Sequence, residues 1–94
     1  EPVSTGSPFY FLLNLLFNYL NYKTMKLLTL AKRLDFTTED QYFQYCADSH
    51  INGNFSQCRE LFKAMTKADK HRLIEYLRNN VGVDEIHNYY VNLF

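Results

Sequence analysis

The chain has 94 residues with ten basic and ten acidic side chains, and 47% of its residues are hydrophobic. This length allows one domain, and the apolar content argues against a disordered chain. Because the charges cancel, the chain lacks the basic excess that is typical of proteins that bind nucleic acids. Two cysteines are too few for a disulfide scaffold, and the scarcity of glycine and proline favours helices over a turn-rich sheet fold.

Residues 1–8 are small and polar and are interpreted as a flexible lead, with the alternative that they are an expression-vector remnant. Residues 9–94 are interpreted as a single helical domain. It begins with "FYFLLNLLFNYLNYK", whose apolar run is too short and too interrupted by asparagine to span a bilayer, which needs about 20 apolar residues. Asn14, Asn18 and Asn21 recur at helical spacing and would form one narrow polar stripe.

A helix that is apolar around the rest of its circumference must be buried by its own domain or by a second copy. The apolar pattern predicts either one long helix over 9–34 or two helices with a break near Thr24. Met25 and Lys26 also resemble a gene start. A second hypothesis is therefore that residues 9–24 are translated leader and that a protein beginning at Met25 folds as stably as the full chain.

The 35–94 segment predicts a bundle of short helices. Thr38 and Gln41 have the spacing of a capping box, and Gly53 fits the position just after a helix end. The buried face of this helix is predicted to contain Phe43, Cys46, Ala47 and Ile51. Asn54 is predicted to cap the next helix with Gln57 closing a second box, which makes a central helical hairpin around Gly53.

The second helix of the hairpin has an apolar stripe of Phe55, Cys58, Leu61, Phe62 and Met65. Thr66 is predicted to cap a further helix whose buried face consists of Ala68, Leu73, Ile74, Leu77 and Val81, and Gly82 is predicted to end it. Asp84 is predicted to cap a last helix anchored by Ile86, Tyr89, Tyr90 and Leu93. The fold predicted is therefore all-α, a small bundle of about five helices with a very apolar N-terminal helix.

The cysteines raise the question of a metal site. Cys46 and His50 lie four residues apart on one helical face, and Cys58 follows at a similar height across the hairpin, so Cys46, His50 and Cys58 are candidate ligands. Because both cysteines fall on apolar stripes, we interpret them as core residues, and a disulfide between them stays open. No phosphate loop, nucleophile elbow or metalloprotease helix is present, so the sequence predicts no enzyme, no cofactor and no small-molecule substrate.

Basic residues recur around the junction of the predicted helices at 55–79: Arg59, Lys63, Lys67 and Lys70. We interpret them as a solvated face with local ion pairs such as those of Arg72, Glu75 and Arg78. The alternative function is a small DNA-binding transcriptional regulator that uses these helices as a helix-turn-helix.

The aromatic residues near the two ends of the chain exceed what a small core readily buries. Aromatic side chains at a surface are typical of protein interfaces. The candidate interface residues are Phe9, Phe11, Phe17, Tyr19, Tyr22, Tyr89 and Tyr90. Homodimerisation through the first helix is the simplest arrangement that buries them, and another protein is the alternative partner.

The stretch "YFQYCADSHINGNFSQCRELFKAM" resembles small uncharacterised helical proteins of phages and mobile elements. In those proteins a short helix ends in Ser-x-x-Asn-Gly-Asn and is followed by a Gln and a Phe-containing helix. The matching positions are Ser49, Asn52, Gly53, Asn54, Gln57 and Phe62. The resemblance implies a mobile-element or gut-bacterial origin and no particular activity. Together these observations predict a cytoplasmic, non-enzymatic protein that acts through protein–protein contacts as an accessory or regulatory factor of a phage or mobile element.

Overall fold

The computed structural model describes residues 25–94, and this part of the chain is all-α, as predicted. Its five α-helices are α1 Leu27–Arg33, α2 Glu39–Ile51, α3 Phe55–Lys63, α4 Lys67–Tyr76 and α5 Asp84–Val91. A π-helical turn, Leu77–Val81, extends α4. Helix α2 is the centre of the bundle, because it packs against each of the other four helices.

Local capping signals position two of the helices. At the start of α2 the Thr38 hydroxyl accepts a hydrogen bond from the Gln41 amide nitrogen, and the Gln41 side chain accepts one from the Thr38 amide nitrogen. The predicted capping box is thus confirmed. Thr66 caps α4 in the same way, because its hydroxyl accepts from the Asp69 amide nitrogen at 3.2 Å.

Two other predicted caps are wrong in detail. Asn54 occupies the capping position of α3, but its side chain makes no capping hydrogen bond. Gln57 does not close a box, since its side chain is buried and donates to the Ser49 hydroxyl at 2.8 Å. In α5 the capping residue is Val83, and Asp84 is the first helical residue, where its charge still favours the positive end of the helix.

Three helix ends require a left-handed backbone. Gly53 and Gly82 have φ angles of 75° and 69°, which confirms their predicted positions after α2 and after the π-helical turn. Asp35 adopts the same conformation after α1, with a φ of 65°. At both Asp35 and Gly53 two backbone hydrogen bonds close the helix end, in the arrangement of a Schellman motif.

The hydrophobic core lies around α2 and receives residues from every helix. Its largest fully buried side chains include Tyr42, Tyr90, Leu27, Leu30, Leu61, Met65, Leu73 and Leu77. Three residues assigned to buried faces by their spacing are wrong: Ile51 is 64% exposed, Phe55 is 43% exposed and Ala68 is exposed. Each lies in the first or last turn of its helix, where the neighbouring helix no longer covers the predicted face.

The start of the described chain resolves one of the predicted alternatives. Met25 is extended and forms an isolated parallel bridge with Met65, in which the Met25 amide nitrogen donates to the Ala64 carbonyl oxygen at 3.0 Å. Lys26 is also extended, with a ψ of 142°, so α1 begins only at Leu27. One continuous helix over 9–34 is therefore wrong, and the alternative of a break close to Thr24 is the one that fits. The predicted helix over 9–24 itself lies outside the described residues.

Helix α1 belongs to the core of the bundle. Leu27, Leu30, Ala31 and Leu34 are all at most 3% exposed. Among residues 25–94, none of the helices has the length and apolar character needed to cross a membrane.

Candidate functional site

One end of the hairpin carries an aromatic cluster at the surface. The rings of His50, Phe55 and Tyr89 pack against one another, with centroid separations of 5.2 Å for His50–Phe55, 5.0 Å for His50–Tyr89 and 5.5 Å for Phe55–Tyr89. The Gly53 turn positions His50 and Phe55, and α5 supplies Tyr89. We call these three residues together with Ile51, which precedes the turn, the hairpin surface.

The hairpin surface is both ordered and apolar. Phe55 keeps 43% and Ile51 keeps 64% of their surface exposed, whereas His50 and Tyr89 are half-buried. An edge-to-face contact with His50 and a tilted contact with Tyr89 orient the Phe55 ring before any partner arrives. Sequence reasoning placed Ile51 and Phe55 in the core. Their nearness to the Asn-Gly-Asn turn was the available signal that they lie beyond the end of the packed helix pair.

The candidate interface residues divide into three groups. Tyr89 is half-buried and belongs to the hairpin surface. Tyr90 is fully buried, and its hydroxyl donates to the Cys46 carbonyl oxygen at 2.7 Å, so the prediction that it contacts a partner is wrong. The remaining candidates lie outside the described residues: Phe9, Phe11, Phe17, Tyr19 and Tyr22.

The two cysteines are free thiols in the core. Cys46 and Cys58 are both fully buried. Burial raises the pKa of each thiol above its ordinary value, so both stay protonated at neutral pH. A buried, protonated thiol is a poor nucleophile and a poor metal ligand.

The proposed metal ligands are not assembled into a site. His50 packs its ring against Phe55 and Tyr89 at the surface, while Cys46 and Cys58 lie in the core. Within residues 25–94 there is no group of three or more His, Cys, Asp or Glu side chains that fits a metal ion. The interpretation of both cysteines as core residues agrees with their complete burial.

The four basic residues that the alternative function assigns to DNA binding lie on α3 and α4, and each has different neighbours. Arg59 contacts the Ser56 hydroxyl at 3.2 Å, and Lys63 lies 3.8 Å from a Glu60 carboxylate oxygen. Lys70 places its ammonium group 5.1 Å from the centroid of the Phe62 ring, and Lys67 is exposed.

The expected series of ion pairs among Arg72, Glu75 and Arg78 does not form. Arg72 instead binds Glu39 at 2.7 Å and Asp69 at 3.0 Å, which links α4 to the start of α2.

A second aromatic group adjoins these basic residues and was not expected from the sequence. Phe94 stacks on His71 with ring centroids 4.8 Å apart and an interplanar angle of 30°. Phe94 also meets the buried Phe62 ring edge to face at 5.2 Å. These contacts bring the C-terminal aromatic residue onto α4.

No protein-family model, curated protein or solved structure matches this chain.

Proposed function

We propose that this protein acts without catalysis, by binding another protein, and that the hairpin surface forms the contact. The observation that carries the proposal is the exposure of Ile51 and Phe55 beside an ordered ring cluster. In a chain of this size, two large apolar side chains held at one end of the central hairpin favour burial against a partner.

The physical basis is preorganisation. The Phe55 ring is already held by His50 and Tyr89, so little side-chain entropy is lost when a partner covers it. Burying an aromatic or branched aliphatic side chain completely is worth roughly 1.5–3 kcal/mol, which makes Ile51 and Phe55 suitable anchors. The polar atoms at the edge of the cluster, such as the Tyr89 hydroxyl, are suited to the rim of an interface.

The partner that we propose is a second copy of the chain. A two-fold interface places the same patch on both subunits, and an apolar aromatic patch is self-complementary without any need for matched charges. The five aromatic residues predicted near the N-terminus stay part of this proposal: Phe9, Phe11, Phe17, Tyr19 and Tyr22. The resemblance of the hairpin sequence supports a role as an accessory or regulatory factor of a phage or mobile element.

Sedimentation equilibrium of the full chain tests the proposal. We expect a monomer–dimer equilibrium with a dissociation constant of tens of micromolar or tighter. Ile51→Asp and Phe55→Ser should each shift the protein to monomer, since both remove apolar area from the contact. Val91→Asp is the matched control, because Val91 is also exposed but lies near the end of α5.

Circular dichroism must show that each variant keeps its helices, so that loss of the dimer is separated from loss of the fold. A wild-type chain that stays monomeric over the whole concentration range refutes self-association. A dimer that is insensitive to Ile51→Asp and Phe55→Ser refutes the hairpin surface as its interface.

A further inference from the structure

We infer that the surface formed by Lys67, Lys70, His71 and Phe94 binds single-stranded nucleic acid through base stacking and phosphate contacts. We call these four residues the basic–aromatic surface. It differs in every residue from the hairpin surface, so this activity is independent of the proposed protein–protein contact.

The first step is the ring pair. Phe94 is 53% exposed and His71 is exposed, yet their rings are stacked with centroids 4.8 Å apart. The Phe94 ring is also supported from the interior, because Phe62 is buried and contacts both Phe94 and the core residue Tyr90. A flat aromatic side chain is thus held in place on the core with much of its surface open to solvent.

The second step is the placement of cations beside the rings. Lys67, Lys70 and His71 recur at intervals of three and four residues and therefore share one face of α4. Within the described part of the chain, no carboxylate lies within ion-pair distance of Lys67 or Lys70. Both ammonium groups are therefore available to an anionic ligand.

The third step is the local charge balance. Residues 59–72 contain five Lys and Arg side chains and two carboxylates, whereas residues 34–58 contain four carboxylates and no Lys or Arg. The two carboxylates of the basic segment are already engaged, Glu60 with Lys63 and Asp69 with Arg72. These pairs also offset the charges of Lys63 and Arg72, so the net positive charge of the segment comes from Arg59, Lys67 and Lys70, and the two lysines lie on the same helix as His71.

The combination of stacked rings and nearby lysines indicates which class of ligand fits the basic–aromatic surface. Proteins that bind single strands without sequence preference pair a positively charged track for the phosphates with aromatic faces on which unstacked bases lie. In a duplex the base faces are already stacked, so the Phe94 ring would contribute nothing. An acidic peptide would use the lysines and leave the ring without a role. Stacking together with cations therefore favours a single strand.

Fluorescence anisotropy of the full chain with a labelled oligothymidylate of about 20 nucleotides tests the role of the ring at low salt. We expect a dissociation constant of tens of micromolar, and Phe94→Leu should weaken binding at least about fivefold through loss of stacking. Phe36→Leu is the matched control, because it removes a partly buried aromatic ring that packs on Tyr45 and belongs to neither surface. It should leave the affinity unchanged.

The salt dependence tests the phosphate contacts separately. Lys67→Gln and Lys70→Gln should each reduce the slope of log K against log salt by about 0.7, the value for one lost phosphate contact on a single strand. Lys26 immediately precedes α1 and Lys32 lies within it, and both are exposed. Lys26→Gln and Lys32→Gln should therefore leave the slope unchanged. Phe94→Leu should also leave the slope unchanged, because it removes no charge.

Three results would overturn the inference. One is the absence of binding at low salt with protein at about 100 µM, where even non-specific affinity should appear. Another is equal or tighter binding of a duplex of the same length or of polyglutamate, which would indicate a general polyanion surface. The third is an equal effect of Phe94→Leu and Phe36→Leu, provided that circular dichroism shows both variants to be folded.

Discussion

Two adjacent tyrosines on α5 have hydroxyl groups in opposite environments. The Tyr90 hydroxyl is buried and donates to the Cys46 carbonyl oxygen at 2.7 Å, while the Tyr89 hydroxyl lies 3.4 Å from the Phe55 carbonyl oxygen at the surface. We expect Tyr90→Phe to lower the free energy of unfolding by roughly 1–2 kcal/mol, because it removes a short, fully buried hydrogen bond between α5 and α2. Urea denaturation measures this loss.

Tyr89→Phe provides the control within the same helix. Its hydrogen bond is long and exposed to water, so we expect a change of less than about 0.5 kcal/mol. A loss for Tyr90→Phe as small as the one expected for Tyr89→Phe would show that the Tyr90 hydrogen bond contributes little to stability and that the buried ring alone anchors α5.

The core contains buried cysteine and tyrosine side chains, and their titration makes the free energy of unfolding depend on pH in the alkaline range. Burial raises the pKa values of Cys46, Cys58, Tyr42 and Tyr90, so in the folded protein these groups keep their protons where the unfolded chain has lost them. The contribution of the cysteines is complete below their unfolded pKa of about 8.5 and that of the tyrosines below about 10, and each is lost as pH rises from there toward the raised folded value. We expect the free energy of unfolding to fall by roughly 1.4 kcal/mol per pH unit for each such group.

Replacement of one thiol separates this effect from other alkaline titrations. Cys46→Ala lowers stability at every pH by opening a small cavity, but it also removes one group from the linkage. The fall in stability between about pH 8.5 and 10 should therefore be shallower than in the wild type when both are measured by urea denaturation. Parallel pH profiles would contradict the assignment of this dependence to Cys46.

At the scale of helices, the two Schellman motifs use different residues for the same backbone conformation. Gly53 ends α2 with a φ of 75°, and a Cβ atom added there would meet no other atom within 4 Å. Any cost of substitution is therefore backbone strain. We expect Gly53→Ala to cost about 1 kcal/mol and Gly53→Val more, because a branched side chain tolerates this region least.

Asp35 allows the opposite substitution, in which glycine replaces another residue at a left-handed position. It holds a φ of 65° after α1, so Asp35→Gly should relieve strain and raise the free energy of unfolding by up to about 1 kcal/mol. Gly53→Asn should cost less than Gly53→Ala, since asparagine tolerates the left-handed region. Thermal or urea denaturation of the four variants checks the order, and a Gly53→Val variant as stable as the wild type would contradict the hairpin geometry.

The same helices show which features a sequence can predict. Thr38, Thr66, Gly53 and Gly82 act through hydrogen bonds or backbone angles within a few residues, and their positions were predicted correctly. Asn54 and Gln57 have the same spacing as Thr38 and Gln41, yet Gln57 turns inward to Ser49 on the facing helix. Whether the Gln57 side chain caps its own helix or turns inward depends on Ser49, eight residues earlier on the facing helix, and the spacing of Asn54 and Gln57 alone does not indicate this contact.

The residues of the candidate surfaces also depend on contacts between helices, which the sequence pattern does not show. Helical periodicity identifies an apolar face but not where the neighbouring helix stops covering it, so Ile51 and Phe55 were assigned to the core. Equally, aromatic content predicted an interface that included Tyr90, although only the packing of α5 on α2 shows that Tyr90 is buried and Tyr89 is not. The stack of Phe94 on His71 joins residues 23 positions apart and had no sequence signal.

At the scale of the whole molecule, the described residues build the core from α1 to α5. The side chains of α1 fill one side of α2, and Met25 pairs with Met65 just before α1 begins. Met25 is therefore part of the hydrogen bonding of the bundle. These contacts are the ones on which the hypothesis of a stable protein that begins at Met25 depends.

Truncation tests this hypothesis. We expect a protein that begins at Met25 to have a free energy of unfolding within about 1 kcal/mol of the full chain, because the α1 side chains and the Met25–Met65 bridge are retained. A protein that begins at Asp35 should be destabilised by several kcal/mol or fail to fold, since it loses the four buried side chains Leu27, Leu30, Ala31 and Leu34. Urea denaturation with helical circular dichroism compares the three proteins. A large loss in the protein that begins at Met25 would instead show that residues 1–24 contribute to the folded core.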